Sequence, residues 1–125
     1  MERKKIVKFL IEAGNLKRLE RTGWVIHGIK KPESVAEHSF RTALMASILA
    51  KEFHVNREKS VIMALVHDLA EVKTGDIAIG AKTLSGNKAK EILQRKHEKE
   101  RAAFSALTSL LGDKELYKIY LEFLK

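Results

Sequence analysis

The stretch VHDLAEVKTGD, residues 66–76, places one histidine and three carboxylates directly after an apolar run, SVIMALV. His67 and Asp68 are adjacent, and the other two carboxylates, Glu71 and Asp76, follow within the same short segment. Burying charged groups is unfavourable unless they are paired or bind a metal ion. The stretch is therefore either the solvated end of a helix or a functional site.

The composition limits the class of protein. At 125 residues the chain is long enough for one domain with a hydrophobic core and too short for two. Hydrophobic residues make up 45% and charged residues 32%, which is typical of a folded globular protein. A single proline and long stretches without turn residues favour an all-α fold. No apolar run is long enough for a membrane span, and the N-terminus lacks the apolar core of a secretory signal.

Charge and cysteine content limit the partners and the compartment. The net charge of +8 attracts anions, which could be nucleic acid, a membrane surface or small phosphates. The basic residues are scattered and aromatic residues make up only 6%, so a surface that stacks nucleic-acid bases is poorly supported. Without cysteine there is neither a disulfide framework nor a thiolate metal site, and a cytoplasmic location is expected.

The first half of the chain predicts two helices joined by a long connection. A first helix is expected from about Glu2 to Ala13, with Gly14-Asn15 ending it because both residues tolerate a left-handed backbone. Residues 16–33 are then predicted to be mostly irregular. A capping box, Ser34-Val35-Ala36-Glu37, begins the second helix, which should run to Phe53. Because the second helix is apolar over most of its circumference, with Phe40, Leu44 and Ile48 on one stripe, it is expected to be central.

The second half of the chain predicts three more helices. Asn56 caps a third helix over residues 57–72, which ends near Thr74-Gly75. Residues 76–87 are predicted to be a loop. A long helix over about 88–111 follows, and its charged stretch KHEKER should be a solvated face. The last helix covers residues 114–125.

Residues 66–76 have a spacing suited to binding a metal ion. On a regular helix His67 and Glu71 share a face, whereas Asp68 is rotated by about 100° from His67. Where a helix ends at a cleft, His67 and Asp68 can still reach one ion. A second helix must supply further ligands, and His38 in the apolar second helix is the leading candidate. Imidazole and carboxylate ligands suit zinc, cobalt, manganese, nickel or iron.

Three segments, in this order and at these separations, carry a family resemblance. They are TGW at 22–24, KPESVAEHSFRTALMA at 31–46 and ALVHDLAEVKTGDI at 64–77. Together with His38 they resemble the HD-domain metal-dependent phosphohydrolases, in particular the 5′-deoxynucleotidase branch. The resemblance extends over most of the chain, from Ile6 to about Leu121. It implies a single-domain, all-α bundle of five or more helices.

The resemblance also implies roles for the charged residues. His38, His67 and Asp68 would bind one divalent ion, most often cobalt or manganese, with zinc, nickel, iron or magnesium as alternatives. Glu71 would act as general base or acid toward the attacking water or the leaving oxygen. The alternative for His38 is a core histidine. His67 and Asp68 could instead be a pair at a helix end, and Glu71 could be solvated there.

Substrate contacts are implied for three further residues. Trp24 would lie against the deoxyribose and Asp76 would help to place the sugar and phosphate. The related enzymes have an arginine directly before the tryptophan, but Gly23 is found here, which leaves Arg21 as the candidate phosphate ligand. Trp24 could instead anchor the core, and Asp76 could be a turn residue that bonds its own backbone.

The resembling enzymes take a fourth metal ligand, an aspartate, from a helix well downstream of the His-Asp pair. Asp113 is the remaining aspartate of this chain, and after Gly112 it is expected to cap the last helix. The fourth ligand is therefore expected beyond Lys125, in a C-terminal part that these 125 residues lack.

The resulting hypothesis is a metal-dependent hydrolase of deoxyribonucleoside 5′-monophosphates. One alternative is an HD-domain enzyme acting on guanosine tetraphosphate, a cyclic dinucleotide or a nucleoside triphosphate. Others are an HD domain that binds metal or nucleotide without turnover, and a non-catalytic, basic nucleic-acid-binding domain. The expected partner is a small nucleotide, with no membrane and with nucleic acid disfavoured. The resemblance also implies a homodimer, for which apolar residues expected to be exposed would suit an interface: Leu110, Leu121 and Leu124.

Overall fold

The computed structural model describes residues 3–21, 27–28, 30–75 and 87–124, and confirms the all-α fold. These residues form six α-helices: α1 Arg3–Gly14, α2 Val35–Glu52, α3 Arg57–Val66, α4 Glu71–Thr74, α5 Asn87–Ser109 and α6 Lys114–Leu124. A 3-10 turn, Asn15–Arg18, follows α1 directly. Among the described helices, none combines the length and the apolar character that crossing a membrane requires.

Side-chain caps begin three of the helices, as the sequence predicts. The Ser34 hydroxyl accepts from the Glu37 N–H at 3.1 Å, and the Glu37 carboxylate accepts from the Ser34 N–H at 3.0 Å. Asn56 and Asp113 each accept from the N–H three residues on, both at 3.0 Å. The capping box and the two single caps therefore determine where α2, α3 and α6 begin.

The predicted end of the first helix is wrong in its geometry. Gly14 has a right-handed backbone, with φ −60° and ψ −21°, rather than a left-handed one. The chain tightens into the 3-10 turn instead and becomes extended at Leu19. This continuation buries Leu16, which is 6% exposed, in the core beside Phe9.

The third helix is shorter than predicted. Instead of continuing over residues 57–72, α3 ends at Val66, and a turn over 67–70 precedes α4. Within this turn the Leu69 N–H donates to the Val66 carbonyl at 3.1 Å, and the next bonds also span three residues, as in a 3-10 helix. The tighter winding buries the adjacent residues Leu69 and Ala70 together, which a regular helix would turn in different directions.

The core lies where α5 and α6 meet the start of α2 and the turn after α3. Its fully buried large side chains are Tyr120, Phe104, Leu107 and Val35. The Tyr120 and Phe104 rings stack with centroids 4.0 Å apart and planes 16° from parallel. Apolar burial of this kind supplies most of the stabilisation of a small helical domain.

The prediction that the second helix is central is wrong, because one apolar side of it is exposed. Phe40, Leu44 and Ile48 are 69%, 53% and 63% exposed, and α2 buries the opposite, small-residue side instead. Ser39 and Ala43 on that side let α2 pack along α3. Both sides of α2 are apolar, so periodicity alone could not tell which one faces the core.

Two further expectations about exposure are corrected. The stretch KHEKER is not solvated throughout, because Glu100 is 7% exposed. The proposed interface residues Leu110, Leu121 and Leu124 are half-buried rather than exposed, and the first and last of them pack against the core.

The connection between the first two long helices is paired where its ends are described. Glu20 and Ser34 form an isolated antiparallel bridge. The Val35 N–H donates to the Leu19 carbonyl at 2.7 Å. The Arg21 N–H donates to the Glu33 carbonyl at 3.0 Å. This short pairing brings Arg21 to the N-terminal end of α2.

Candidate metal centre

Three predicted ligands lie together at the junction of α2 and the turn after α3. One ligand atom from each of His38, His67 and Asp68 lies within 4.8 Å of the others. The Oδ2 atom of Asp68 is 3.0 Å from Nε2 of His67 and 3.5 Å from Nε2 of His38. The two imidazole rings meet edge to face, with centroids 5.4 Å apart. Two imidazole nitrogens and a carboxylate oxygen are a donor set suited to a divalent transition metal.

Each imidazole has a partner at the nitrogen that points away from this cluster. His67 Nδ1 lies 2.6 Å from the Ala64 carbonyl oxygen. Since a carbonyl can only accept, Nδ1 carries a proton, and Nε2 is the nitrogen that faces Asp68. His38 Nδ1 faces the Glu33 carboxylate at 3.6 Å, and Arg41 in turn contacts Glu33 at 2.6 Å. Such partners orient histidine ligands in metal sites.

His67 and Asp68 each favour the charged form of the other. Burial alone would raise the pKa of Asp68, but the hydrogen bond and charge of His67 outweigh it, and the pKa of Asp68 is lowered. Burial likewise opposes protonation of His67, yet the hydrogen bond and charge of Asp68 raise the pKa of His67. The pKa of His38 is lowered by burial, and next by the charge of Arg21. A neutral His38 beside an ionised Asp68 is the protonation state that a metal site requires.

Arg21 reaches the same carboxylate from the short bridge. Its Nη1 atom is 3.5 Å from Oδ2 of Asp68, and its side chain is 29% exposed. A partly exposed guanidinium next to a ligand cluster can bind a phosphate, because its planar donors match phosphate oxygens.

Glu71 is buried, with 4% of its surface exposed, so the alternative of a solvated helix end is wrong. Its backbone N–H donates to the Asp68 carbonyl at 3.1 Å, which places it at the first position of α4 directly behind the ligand pair. The other two predicted substrate residues, Trp24 and Asp76, lie outside the described residues.

Phe123 of α6, which the sequence reasoning missed, contacts the candidate site. The Phe123 ring meets the His67 ring edge to face at a centroid distance of 5.3 Å, and it also contacts Tyr120 at 6.3 Å. Tyr120 and Phe123 are three residues apart and so share a helix face. That spacing was visible in KELYKIYLEFLK, but nothing in the sequence connected it to the His-Asp pair.

The chain matches a protein-family model, the sequences of curated proteins and solved structures. A family model described as HD domain matches residues 13–125. The protein named 5′-deoxynucleotidase HDDC2 from Bos taurus is 42% identical over 121 residues, which are 94% of this chain and 55% of the relative. The protein named 5′-deoxynucleotidase hdd1 from Schizosaccharomyces pombe is 40% identical over 106 residues, 85% of this chain and 49% of the relative. The chain thus spans about half the length of these curated relatives.

Two solved archaeal structures share the fold. A conserved hypothetical protein from Pyrococcus furiosus superposes with a TM-score of 0.69 at 32% identity, over 94% of this chain and 65% of that one. A protein from Pyrococcus horikoshii has a TM-score of 0.70 at 30% identity, over 94% and 62% of the two chains.

Proposed function

Since the chain belongs to the HD-domain family, we propose that it is a divalent-metal-dependent 5′-deoxynucleotidase that hydrolyses deoxyribonucleoside 5′-monophosphates. The observation that carries the proposal is the convergence of His38, His67 and Asp68 on one point. The curated relatives named 5′-deoxynucleotidase support the choice of reaction.

The donor set fits a catalytic rather than a purely structural ion. Even with the fourth protein ligand that the resemblance implies, an ion that accepts more than four ligands keeps coordination positions open, as in other catalytic metal sites. When bound, a divalent ion supplies a water of lowered pKa and polarises phosphoryl oxygens. We infer cobalt or manganese as the ion, because nitrogen and oxygen ligands accept both, with zinc, nickel, iron and magnesium to be compared.

In this proposal the chain's own side chains divide the remaining tasks. Glu71 takes or returns the proton, which its buried position next to the ligand pair supports. Arg21 binds the phosphate, since its guanidinium is partly exposed beside Asp68. We assign Trp24 to the deoxyribose and Asp76 to the sugar and phosphate, on the resemblance of their sequence segments.

Phosphate release from matched deoxyribo- and ribonucleoside 5′-monophosphates tests the proposal. The assay is run with cobalt, with manganese and with chelator, and a nucleoside triphosphate, a cyclic dinucleotide and guanosine tetraphosphate are compared at the same concentration. We expect metal-dependent release that favours the deoxy monophosphate. Equal release from both sugars, or release only from a longer nucleotide, would show that the substrate assignment is wrong. No release from any of them would refute the enzymatic proposal for this chain.

Assembly and location are further parts of the proposal. We infer a homodimer, because exposed apolar side chains on α2 form a surface of the kind that marks protein interfaces: Phe40, Leu44 and Ile48. Light scattering coupled to size exclusion should give twice the mass of one chain, and the mass of a single chain would contradict the inference. A cytoplasmic location is supported by the absence of cysteine.

A further inference from the structure

Glu33 lies where the short bridge meets the start of α2. Its backbone carbonyl accepts from the Arg21 N–H at 3.0 Å. The next residue, Ser34, is the N-cap of α2 and pairs with Glu20 across the bridge. The backbone of Glu33 is therefore fixed by its neighbours, and its side chain starts from a defined point beside the candidate metal centre.

The carboxylate of Glu33 faces a candidate metal ligand with one oxygen and a cation with the other. Its Oε1 atom is 3.6 Å from Nδ1 of His38, and its Oε2 atom is 2.6 Å from Nη2 of Arg41. The side chain of Glu33 is only 16% exposed, whereas that of Arg41 is 70% exposed. The carboxylate thus lies between an exposed guanidinium and the imidazole of a candidate ligand.

Two structural roles could account for a glutamate at this position. A negative charge just before a helix is favoured by the helix dipole. A glutamate–arginine pair near the surface is common and usually adds little to stability. Neither role requires that one oxygen face Nδ1 of His38, the ring nitrogen that points away from Asp68.

The imidazole of His38 needs a partner at Nδ1 if it is to bind an ion through the other nitrogen. Its Nε2 atom lies 3.5 Å from Oδ2 of Asp68, so Nε2 is the nitrogen that faces the candidate ligand cluster. An ionised carboxylate can only accept, so Glu33 favours a proton on Nδ1 and leaves Nε2 for the ion. At 3.6 Å, beyond the usual length of a hydrogen bond, this preference acts mainly through charge.

From this geometry we infer that Glu33 is a positioning residue of the candidate metal centre, whose carboxylate, held by Arg41, orients the His38 imidazole toward the ion. The inference rests on the proposed function, because the orientation of the ring matters only if His38 binds an ion. Neither the His-Asp pair nor the resemblance assigned a role to Glu33. Loss of a partner of this kind typically weakens metal affinity or activity by about 10–100-fold.

Glu33 contacts the rest of the site by two routes that an experiment can separate. Its side chain faces His38, whereas its backbone bonds Arg21. A substitution at this position changes the side chain and keeps the backbone carbonyl. The inference therefore predicts a loss at the metal ligand without a loss at the proposed phosphate ligand, whereas a general loosening of the bridge would affect both.

The test compares Glu33→Gln with the matched control Glu20→Gln. Glu20 lies on the opposite side of the same bridge, and it is exposed. For each variant we would measure thermal unfolding in chelator, cobalt affinity by calorimetry, and KM for a deoxyribonucleoside 5′-monophosphate at saturating cobalt. Arg41→Gln and the double variant with Glu33→Gln are measured in the same way.

We expect Glu33→Gln to weaken cobalt affinity by about 10-fold or more, with KM at saturating cobalt near that of wild type. Glu20→Gln should match wild type in both quantities. The double variant should bind cobalt no more weakly than Glu33→Gln, because Arg41 acts through Glu33 and the two effects are not additive.

Arg41→Gln separates positioning from a simple effect of charge. If Arg41 holds the carboxylate in place, its loss should weaken cobalt binding, though by less than the loss of Glu33. If charge alone matters, removal of a cation near the centre should strengthen cobalt binding instead, because like charges repel.

The inference would be overturned by equal cobalt affinities of Glu33→Gln and Glu20→Gln, or by tighter binding in Arg41→Gln. A parallel rise in the KM of Glu33→Gln, or weaker binding that a loss of stability in chelator accounts for, would also overturn it. Failure of the proposed function gives a different result. If wild type binds cobalt but releases no phosphate, the substrate is wrong, and the cobalt affinities still decide the role of Glu33. If wild type binds no cobalt, the metal centre and the inference fall together.

Discussion

The Nε2 atom of His67 and the Oδ2 atom of Asp68 lie 3.0 Å apart although the two residues are neighbours in the chain. In a regular helix, adjacent side chains point in directions about 100° apart. Here α3 ends at Val66, and the side chains of His67 and Asp68, which follow directly, converge. The end of the helix is thus what brings one donor atom from each of two adjacent residues to the same point.

Replacement of Asp68 should remove metal binding. Asp68→Asn keeps the size of the side chain but removes the charge that both imidazoles face. We expect cobalt or manganese affinity to weaken by more than about 100-fold, since even residues behind the ligands contribute 10–100-fold. Calorimetric titration measures this, with Asp113→Asn at the cap of α6 as the control. Affinity within a few-fold of wild type would rule out Asp68 as a ligand.

Removal of metal should lower stability in a concentration-dependent way. An ion that binds only the folded chain stabilises it by about 2.7 kcal/mol at a hundredfold excess over the dissociation constant. Thermal unfolding in chelator should therefore occur several degrees below that in manganese, and Asp68→Asn should abolish the difference. A shift of equal size in that variant would place the ion elsewhere.

Replacement of Glu71 should separate chemistry from binding. Glu71→Gln preserves the shape of a buried side chain while preventing proton transfer. We expect kcat to fall by about 10²–10⁴-fold and cobalt affinity to stay near that of wild type. Steady-state kinetics with a deoxyribonucleoside 5′-monophosphate give the answer, with exposed Glu58→Gln on α3 as control. Unchanged kcat would assign the proton to another group.

Replacement of Arg21 should affect the phosphate more than the ion. Arg21→Gln removes a charged donor, and hydrogen bonds of charged groups are worth enough to lower kcat/KM by about 10–100-fold. The loss should appear mainly in KM, because the ligand atoms themselves are unchanged. Arg57→Gln at the start of α3, where the side chain bonds only Ser47 among its described partners, is the control. A pure loss of metal affinity would show instead that Arg21 serves Asp68.

The capping box should contribute to the stability of α2 and depend on pH. Ser34→Ala removes a cap worth about 1 kcal/mol, which thermal unfolding detects against Ser105→Ala on an exposed face. The bond from the Ser34 backbone lowers the pKa of Glu37. A lowered carboxyl pKa stabilises the fold above the unfolded value, and that stabilisation disappears as pH falls through the folded value. The stability difference between wild type and Glu37→Ala should therefore shrink in acid, and a constant difference would contradict this.

The features that were best predicted from the sequence are those determined by residues close together in the chain. The caps at Ser34, Asn56 and Asp113 are local hydrogen-bonding choices, and all three are present. The triad His38, His67 and Asp68 could be named because the segments around it resemble a family, and the structure brings the three together. Their role as ligands stays a prediction that the experiments above address.

The features that were least well predicted are those determined by packing between residues far apart in the chain. Residues 66–76 contain no glycine or proline before Gly75, so nothing local marks the end of α3 at Val66. Leu69 and Ala70, just after that end, are buried in one cluster with residues of α5 and α6, a tertiary contact that the sequence does not reveal. The contact of Phe123 with His67 was missed for the same reason, since the two residues lie far apart along the chain.

The short bridge at Glu20 and Ser34 has a consequence for the evolution of the candidate site. It ties together the two ends of the segment between Arg21 and Glu33 close to the candidate metal centre. Closing a longer loop on a fixed base adds little entropy cost, because the cost grows only with the logarithm of length. An insertion in this segment should therefore leave the candidate ligand atoms in place, so that the segment is free to evolve separately from the candidate metal centre.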